Sequence, residues 1–289
     1  MEIQLKKFDM SMVEDDAVVV FIGKRKTGKS FLIRDLLYHK RSFPISTVIS
    51  ATENANGFYS EMIPSIFIHN KFSDELVGNV LKRQELVVGQ NKDRKKQGAP
   101  LVDDRMVFVM DDMMAAKNSW IRSENVSAMF CNGRHYRCLF MLTLQYVMGI
   151  PPDLRNNVDY VFLLRENIHK SRKKLYDNWA GMFPKFPMFE SVLNECTQNH
   201  ECIVIKNNAL SNNIEECVFW YKAEPHPNFN VCLPKYWDMD RIIAEKNRQE
   251  EEKNKSDENP DDVQCMLTVN NAMNASKGEY RVRKEKRNP

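Results

Sequence analysis

The sequence carries almost no excess of charge. Its 42 Lys and Arg stand against 39 Asp and Glu, a formal net charge of +3 over 289 residues. A polycation of histone type is excluded, so contact with a polyanion has to come from a local patch or a pore. Long apolar runs are also missing. The most apolar stretch, Leu139 to Ile150, is short and contains Thr143 and Gln145, whereas a membrane span needs about 20 largely apolar residues. No secretory signal is expected, because Asp9 and Glu14-Asp15-Asp16 come before any long apolar run. The seven cysteines include no Cys-x-x-Cys pair, which argues against a disulfide framework and for a reducing compartment. There is no internal repeat. What is present is enough for a core: 43% hydrophobic and 10% aromatic residues.

The chain reads as strands alternating with helices. Ala17 to Ile22, Thr47 to Ser50, Ile66 to Ile68, Met106 to Met110, Cys138 to Leu144 and Val158 to Leu164 read as strands covered on both faces. Helices are expected over about 29–39, from Ser73 to about Val88, over 119–131, and near 167–180 and 186–196. Residues 89–105 read as a loop with a basic run at Lys92, Arg94, Lys95 and Lys96, and Cys202–Ile205 with Val218–Tyr221 as a hairpin. This alternation predicts an α/β fold with a mainly parallel central sheet flanked by helices. From about Lys246 the composition turns polar, which divides the chain into a folded domain, 1–245, and a charged, disordered tail, 246–289.

Gly23-Lys24-Arg25-Lys26-Thr27-Gly28-Lys29-Ser30 matches G-x-x-x-x-G-K-[ST] between a buried strand and a helix. Such a loop turns backbone N–H groups inward around phosphate oxygens at a positive helix end. Lys29 is expected to reach the outer phosphates and the Ser30 hydroxyl to hold Mg²⁺. Nucleotide-binding residues run from Gly23 through Phe31. Met106–Met110 delivers Asp111 and Asp112 to a strand end, Asp111 for Mg²⁺ and Asp112 to polarise the attacking water. Leu144-Gln145 ends the next strand with an amide, which can donate to phosphate and accept from water at once. Arg134, Arg155 and Arg165 are candidates for an arginine supplied to a neighbouring subunit, Arg134 being preferred. Cys196, His200, Cys202 and Cys217 fit no common zinc spacing. Lys170, Arg172, Lys173 and Lys174, like the 92–96 run, suit either DNA phosphate or solvent.

These residues, with Asn132-Gly133-Arg134-His135-Tyr136 and Leu154 to Phe162, resemble the genome-packaging ATPases of nucleocytoplasmic large DNA viruses, a group similar to the FtsK/HerA motors. The resemblance covers roughly residues 15–240. It implies a RecA-like P-loop NTPase of the additional-strand class, using ATP and Mg²⁺. It also implies a homo-oligomeric ring that threads double-stranded DNA into a capsid, with capsid or portal-vertex proteins and a separate nuclease as partners. Its place would be the host cytoplasm, at viral factories, or the virion. The broader motor class usually has Glu where this chain has Asp112. A small-molecule P-loop kinase and a structural or regulatory nucleotide-binding virion protein are the alternatives.

Overall fold

The computed structural model describes residues 3–113, 116–146, 149–211 and 213–257. Along the chain lie β1 (Lys6–Lys7), β2 (Val18–Ile22), α1 (Lys29–His39), β3 (Ser46–Ser50), α2 (Glu53–Asn56), β4 (Ile68–His69), α3 (Asp74–Lys96), β5 (Met106–Asp111), α4 (Lys117–Trp120), α5 (Glu124–Asn132) and β6 (Cys138–Leu144). They are followed by α6 (Pro152–Arg155), β7 (Tyr160–Leu163), α7 (His169–Trp179), α8 (Phe186–Glu195), β8 (Glu201–Lys206), α9 (Ile214–Cys217), β9 (Val218–Lys222) and α10 (Pro234–Asp257).

The strands form one sheet in the order β1-β9-β8-β7-β2-β6-β5-β3-β4. Pairing is parallel from β7 through β4, and only β8 pairs antiparallel with its neighbours β7 and β9. The central strands are buried on both faces, and the two-residue period of a strand sorts their side chains. Val18, Val20 and Ile22 point into one apolar cluster, with Val126, Met129 and Phe130 of α5 and Val77 of α3. Val19 and Phe21 point into the other, with Leu32, Ile33, Leu36 and Leu37 of α1. Strand β6 lies between β2 and β5, so one extra strand separates the glycine loop from the acidic strand end. This is the order that defines the additional-strand class.

The structure corrects four local expectations. The 89–105 loop is helical as far as Lys96. Asn91 exchanges hydrogen bonds with Val102 (2.8 and 3.0 Å) and Gln84 donates to the carbonyls of Asp104 and Tyr136. Arg94, Lys95 and Lys96 then fall in the last turn, where positive charge favours the helix dipole. Of Ile66-Phe67-Ile68, Ser65–Phe67 is a 3-10 turn entered from Pro64, and only Ile68 and His69 pair with β3. The 119–131 helix is split, and its second part is capped by Ser123, whose hydroxyl accepts from Val126 N at 3.0 Å. Finally, the polar segment from Lys246 stays helical to Asp257. Ala, Glu, Lys, Arg and Gln at 244–250 all have high helix propensity, which needs no apolar face. The rest of the expected tail, 258–289, lies outside the described residues. Two compact units meet at Trp237/Asp238, and the second is described as far as the remainder of α10. Among the described residues no helix is long and apolar enough to cross a membrane.

Candidate functional site

The glycine loop leaves β2 at Ile22 and is tied to the next strand by Gly23 N donating to Leu144 O (3.0 Å). Two residues take left-handed backbone, Lys26 (φ 63°) and Gly28 (φ 109°), and the second is the N-cap of α1. A positive φ turns successive N–H groups to one side, the arrangement that binds anions. Inside the loop Thr27 Oγ1 donates to Lys24 O (2.7 Å), and Lys29 Nζ donates to Gly23 O (2.6 Å) and Lys24 O (2.9 Å). Lys24 Nζ pairs with Glu166 Oε1 at 2.5 Å. Thr27 and Lys24 therefore shape the loop, while Arg25, Lys26, Gly28, Lys29, Ser30 and Phe31 line a cavity of about 590 Å³.

Gly23 shapes the loop by close approach. A Cβ there would lie 2.6 Å from Thr27 Oγ1 and 2.8 Å from Leu164 Cβ. Gly23→Ala is expected to cost about 1–3 kcal/mol through overpacking. Thermal unfolding should show it as a fall in Tm, and nucleotide affinity should fall with it.

The acidic strand end faces this loop. Asp111, the last residue of β5, is buried. Its Oδ1 accepts from Thr143 Oγ1 (2.6 Å) and its Oδ2 from Tyr59 OH (2.9 Å). Burial raises the Asp111 pKa above the ordinary carboxylate value, against the opposing pull of those two bonds and of Lys29. Burial likewise lowers the Lys29 pKa, with Asp111 and Asp112 pulling it back up. Each charge is thus partly desolvated and faces its opposite.

Asp112 takes left-handed backbone (φ 51°), and its N–H donates to Thr143 Oγ1 (3.0 Å). The turn swings its carboxylate into the cavity, where Gln145 Nε2 donates to Asp112 Oδ1. A strained non-glycine residue at such a position marks a constraint held for the site. Thr143 is therefore the hinge of the acidic pair: it donates to Asp111 and accepts from Asp112.

Lys29, Ser30, Asp111, Asp112 and Gln145, expected to act together, line one cavity. Other residues were not foreseen as site members. Tyr59 and Thr143 orient Asp111, and Thr52, Asn56, Phe58 and His200 line the cavity wall. Burial and Asp111 hold the Tyr59 pKa well above 10, so it remains a donor. His200 and its neighbour Asn199 both have positive φ (65° and 49°), which places the His200 ring near Gly28. Thr52, Phe58 and Tyr59 belong to the resemblance to the packaging ATPases without a role assigned to them, and Thr143 lies two residues before Gln145 on β6; the approach of Asn56 and His200 has no pattern in the sequence. Cys196, His200, Cys202 and Cys217 do not converge as a ligand set among the described residues.

The arginine candidates separate by sheet edge. Arg134 lies at the opposite, N-terminal edge, away from its own chain's cavity. There Arg134 and Asn208 Nδ2 (3.3 Å) donate to Asp159 Oδ1, and Val18 N donates to Asp159 Oδ2 (2.8 Å). Asp159 is buried and Arg134 largely exposed. Arg155 bonds Asn178 and lies over the Trp179 ring. Arg165 is exposed just beyond Leu163, at the cavity's edge of the sheet, with its Nε donating to Asn167 Oδ1 (3.2 Å). Removing Arg134 leaves a buried carboxylate short of a partner. Arg134→Ala is expected to lose about 1–3 kcal/mol, seen as a fall in Tm of about 2–4 °C per kcal/mol for a domain of this size.

The strand order and this cavity define a P-loop NTPase fold of the additional-strand class. The chain belongs to a protein family of nucleocytoplasmic large DNA viruses, the group its motifs resemble. It is 40% identical over 236 residues to the uncharacterized protein L437 of Acanthamoeba polyphaga mimivirus, covering 82% of each chain. It is 34% identical over 241 residues to the uncharacterized protein 088R of Invertebrate iridescent virus 3, covering 79% of this chain and 88% of that one. No family model matches the chain. Among solved structures, the genome packaging NTPase B204 from Sulfolobus turreted icosahedral virus 2, in complex with ATP-gammaS, is similar with a TM-score of 0.47 at 15% identity. That match covers 73% of this chain and 98% of B204.

Proposed function

We propose that this chain is an ATP-hydrolysing motor that translocates double-stranded DNA and packages a viral genome into its capsid. The observation that carries the hydrolytic part is the Gln145–Asp112 hydrogen bond, which faces Lys29 across the cavity from the inserted strand β6. A carboxylate and an amide held together there can accept a proton from water and orient it toward a phosphoryl group. A kinase needs a place for its acceptor there instead of a water-orienting pair. The fit to ATP and Mg²⁺ rests on the crowded Gly23 cradle, on the exposed Ser30 hydroxyl, and on a buried Asp111 carboxylate that nearby positive charge would relieve. Ser30 and Asp111 would hold the ion, which would supply charge neutralisation at the phosphates.

The DNA part rests on membership of a large-DNA-virus family and on the exposed basic residues at 92–96. The α7 face is a weaker candidate, since Arg172 pairs with Glu190, Lys173 with Asp177, and Lys174 donates to Tyr146 OH. A ring multiplies a few basic residues per subunit, which reconciles a net charge of +3 with a polyanionic substrate. Ring assembly, an arginine given in trans, capsid or portal-vertex partners, a separate nuclease and action at cytoplasmic viral factories all belong to this reading.

Steady-state ATP hydrolysis with and without long double-stranded DNA tests it. The motor reading expects DNA to raise kcat. Phosphate transfer to a small acceptor, indifferent to DNA, would make the chain a kinase. Nucleotide binding with no turnover would make it a structural or regulatory virion protein.

A further inference from the structure

Away from the nucleotide cavity, the donor atoms of Asp35, His39 and His226 lie within 4.8 Å of one another. We propose that these three side chains form a zinc site that clips the segment after β9 to the helix of the phosphate loop. This goes beyond the ATPase reading and does not depend on it.

Asp35 and His39 stand one helical turn apart on α1, so both leave the same face. His226 comes from the segment following β9. Asp35 is fully buried, and its two oxygens are divided between tasks. Oδ2 accepts from Tyr221 OH (2.6 Å) and Glu224 N (2.9 Å). Oδ1 faces the two imidazoles, 2.7 Å from His226 Nε2 and 3.5 Å from His39 Nε2. Tetrahedral zinc with ligands at about 2.0–2.1 Å sets neighbouring donors about 3.3 Å apart. The two spacings from Asp35 bracket that value, and the imidazole donors lie within 4.8 Å of each other, so it is rotation of the exposed His39 ring that has to bring the third pair into range.

The surroundings are those of an oriented ligand set. Tyr221 and the Glu224 N–H fix the carboxylate, as outer partners of metal ligands do. Tyr38 stacks on the His226 ring with centroids 3.8 Å apart and planes 9° from parallel, which holds its plane. His39 is the exposed member, with about a third of its side chain in solvent (31%), so a fourth position is open to water. Two imidazole nitrogens and one carboxylate oxygen suit Zn²⁺ over Mg²⁺, which demands octahedral oxygen ligands. The same helix begins with Lys29 and Ser30, so a metal clip here stiffens the element that backs the nucleotide site.

The test uses the full chain, stripped with a chelator and titrated with Zn²⁺ by calorimetry, with Co²⁺ as a spectroscopic probe. One equivalent per chain is expected, with a rise in Tm and a Co²⁺ spectrum lacking thiolate charge transfer. His39→Gln, at the exposed position, should weaken binding by about tenfold or more while leaving the metal-free protein folded. His226→Gln should do the same. Failure to bind an equivalent, affinity unchanged in both variants, a thiolate spectrum, or loss of the site in Asp111→Asn alone would each overturn the proposal.

Discussion

Lys29→Ala is expected to abolish measurable ATP turnover and to weaken nucleotide binding together. The ammonium is the group of the loop placed between the glycine cradle and the two carboxylates. It donates to Gly23 O and Lys24 O, so it also closes the loop around itself. Burial already lowers its pKa, which means that its charge is sparsely solvated and acts at close range on whatever anion enters. Charge held in such a site is worth far more than in water, and losing one such contact costs about 10²–10³ in kcat. Because the same side chain organises the loop, affinity falls as well. The check is steady-state turnover beside nucleotide binding by calorimetry. A Lys29→Ala variant that hydrolyses ATP at the native rate would remove the phosphate loop from the account.

Asp112→Asn is expected to separate chemistry from binding. The hydrogen bonds of Asp112 go to Thr143 and Gln145. Its backbone N–H is held by Thr143 Oγ1, and its carboxylate oxygen receives Gln145 Nε2. Asparagine fills the same volume and keeps an acceptor, so the cavity and its affinity for nucleotide should survive. What is lost is the ability to accept a proton from water, and general-base catalysis contributes about 10²–10⁴ in rate. Turnover should fall by that order with KM little changed. Gln145→Ala is expected to fall in the same direction, because it releases Asp112 from its oriented position. Loss of binding in Asp112→Asn would place this residue with the ligand contacts instead.

The parts of this site that lie on strand ends were legible in the sequence. A five-residue apolar strand followed by the glycine motif gives the loop its position, and the buried strands ending in Asp111 and at Leu144 carry the acids and the amide to the same sheet edge. Parallel pairing does the rest, since all three strands leave the sheet at one side. What pattern reading could not supply were residues brought in by long-range packing. Tyr59 reaches Asp111 from beyond β3, and His200 reaches Gly28 from the loop before β8. Arg134 was placed by its neighbours in sequence, yet the chain turns back after α5 and leaves it at the far edge beside Asp159. The helix through Lys96 was hidden for a different reason. Its last turns are polar, and the structure holds them with the amides of Gln84 and Asn91 instead of an apolar stripe.

The most direct test of the motor reading is translocation itself. The purified chain would be loaded on linear double-stranded DNA carrying a third strand bound as a triplex downstream, and displacement of that strand followed in time. Displacement that needs ATP, and that is lost in Asp112→Asn while DNA binding persists, is the predicted result. ATP hydrolysis that proceeds without displacing the strand, at a rate indifferent to DNA, would contradict it.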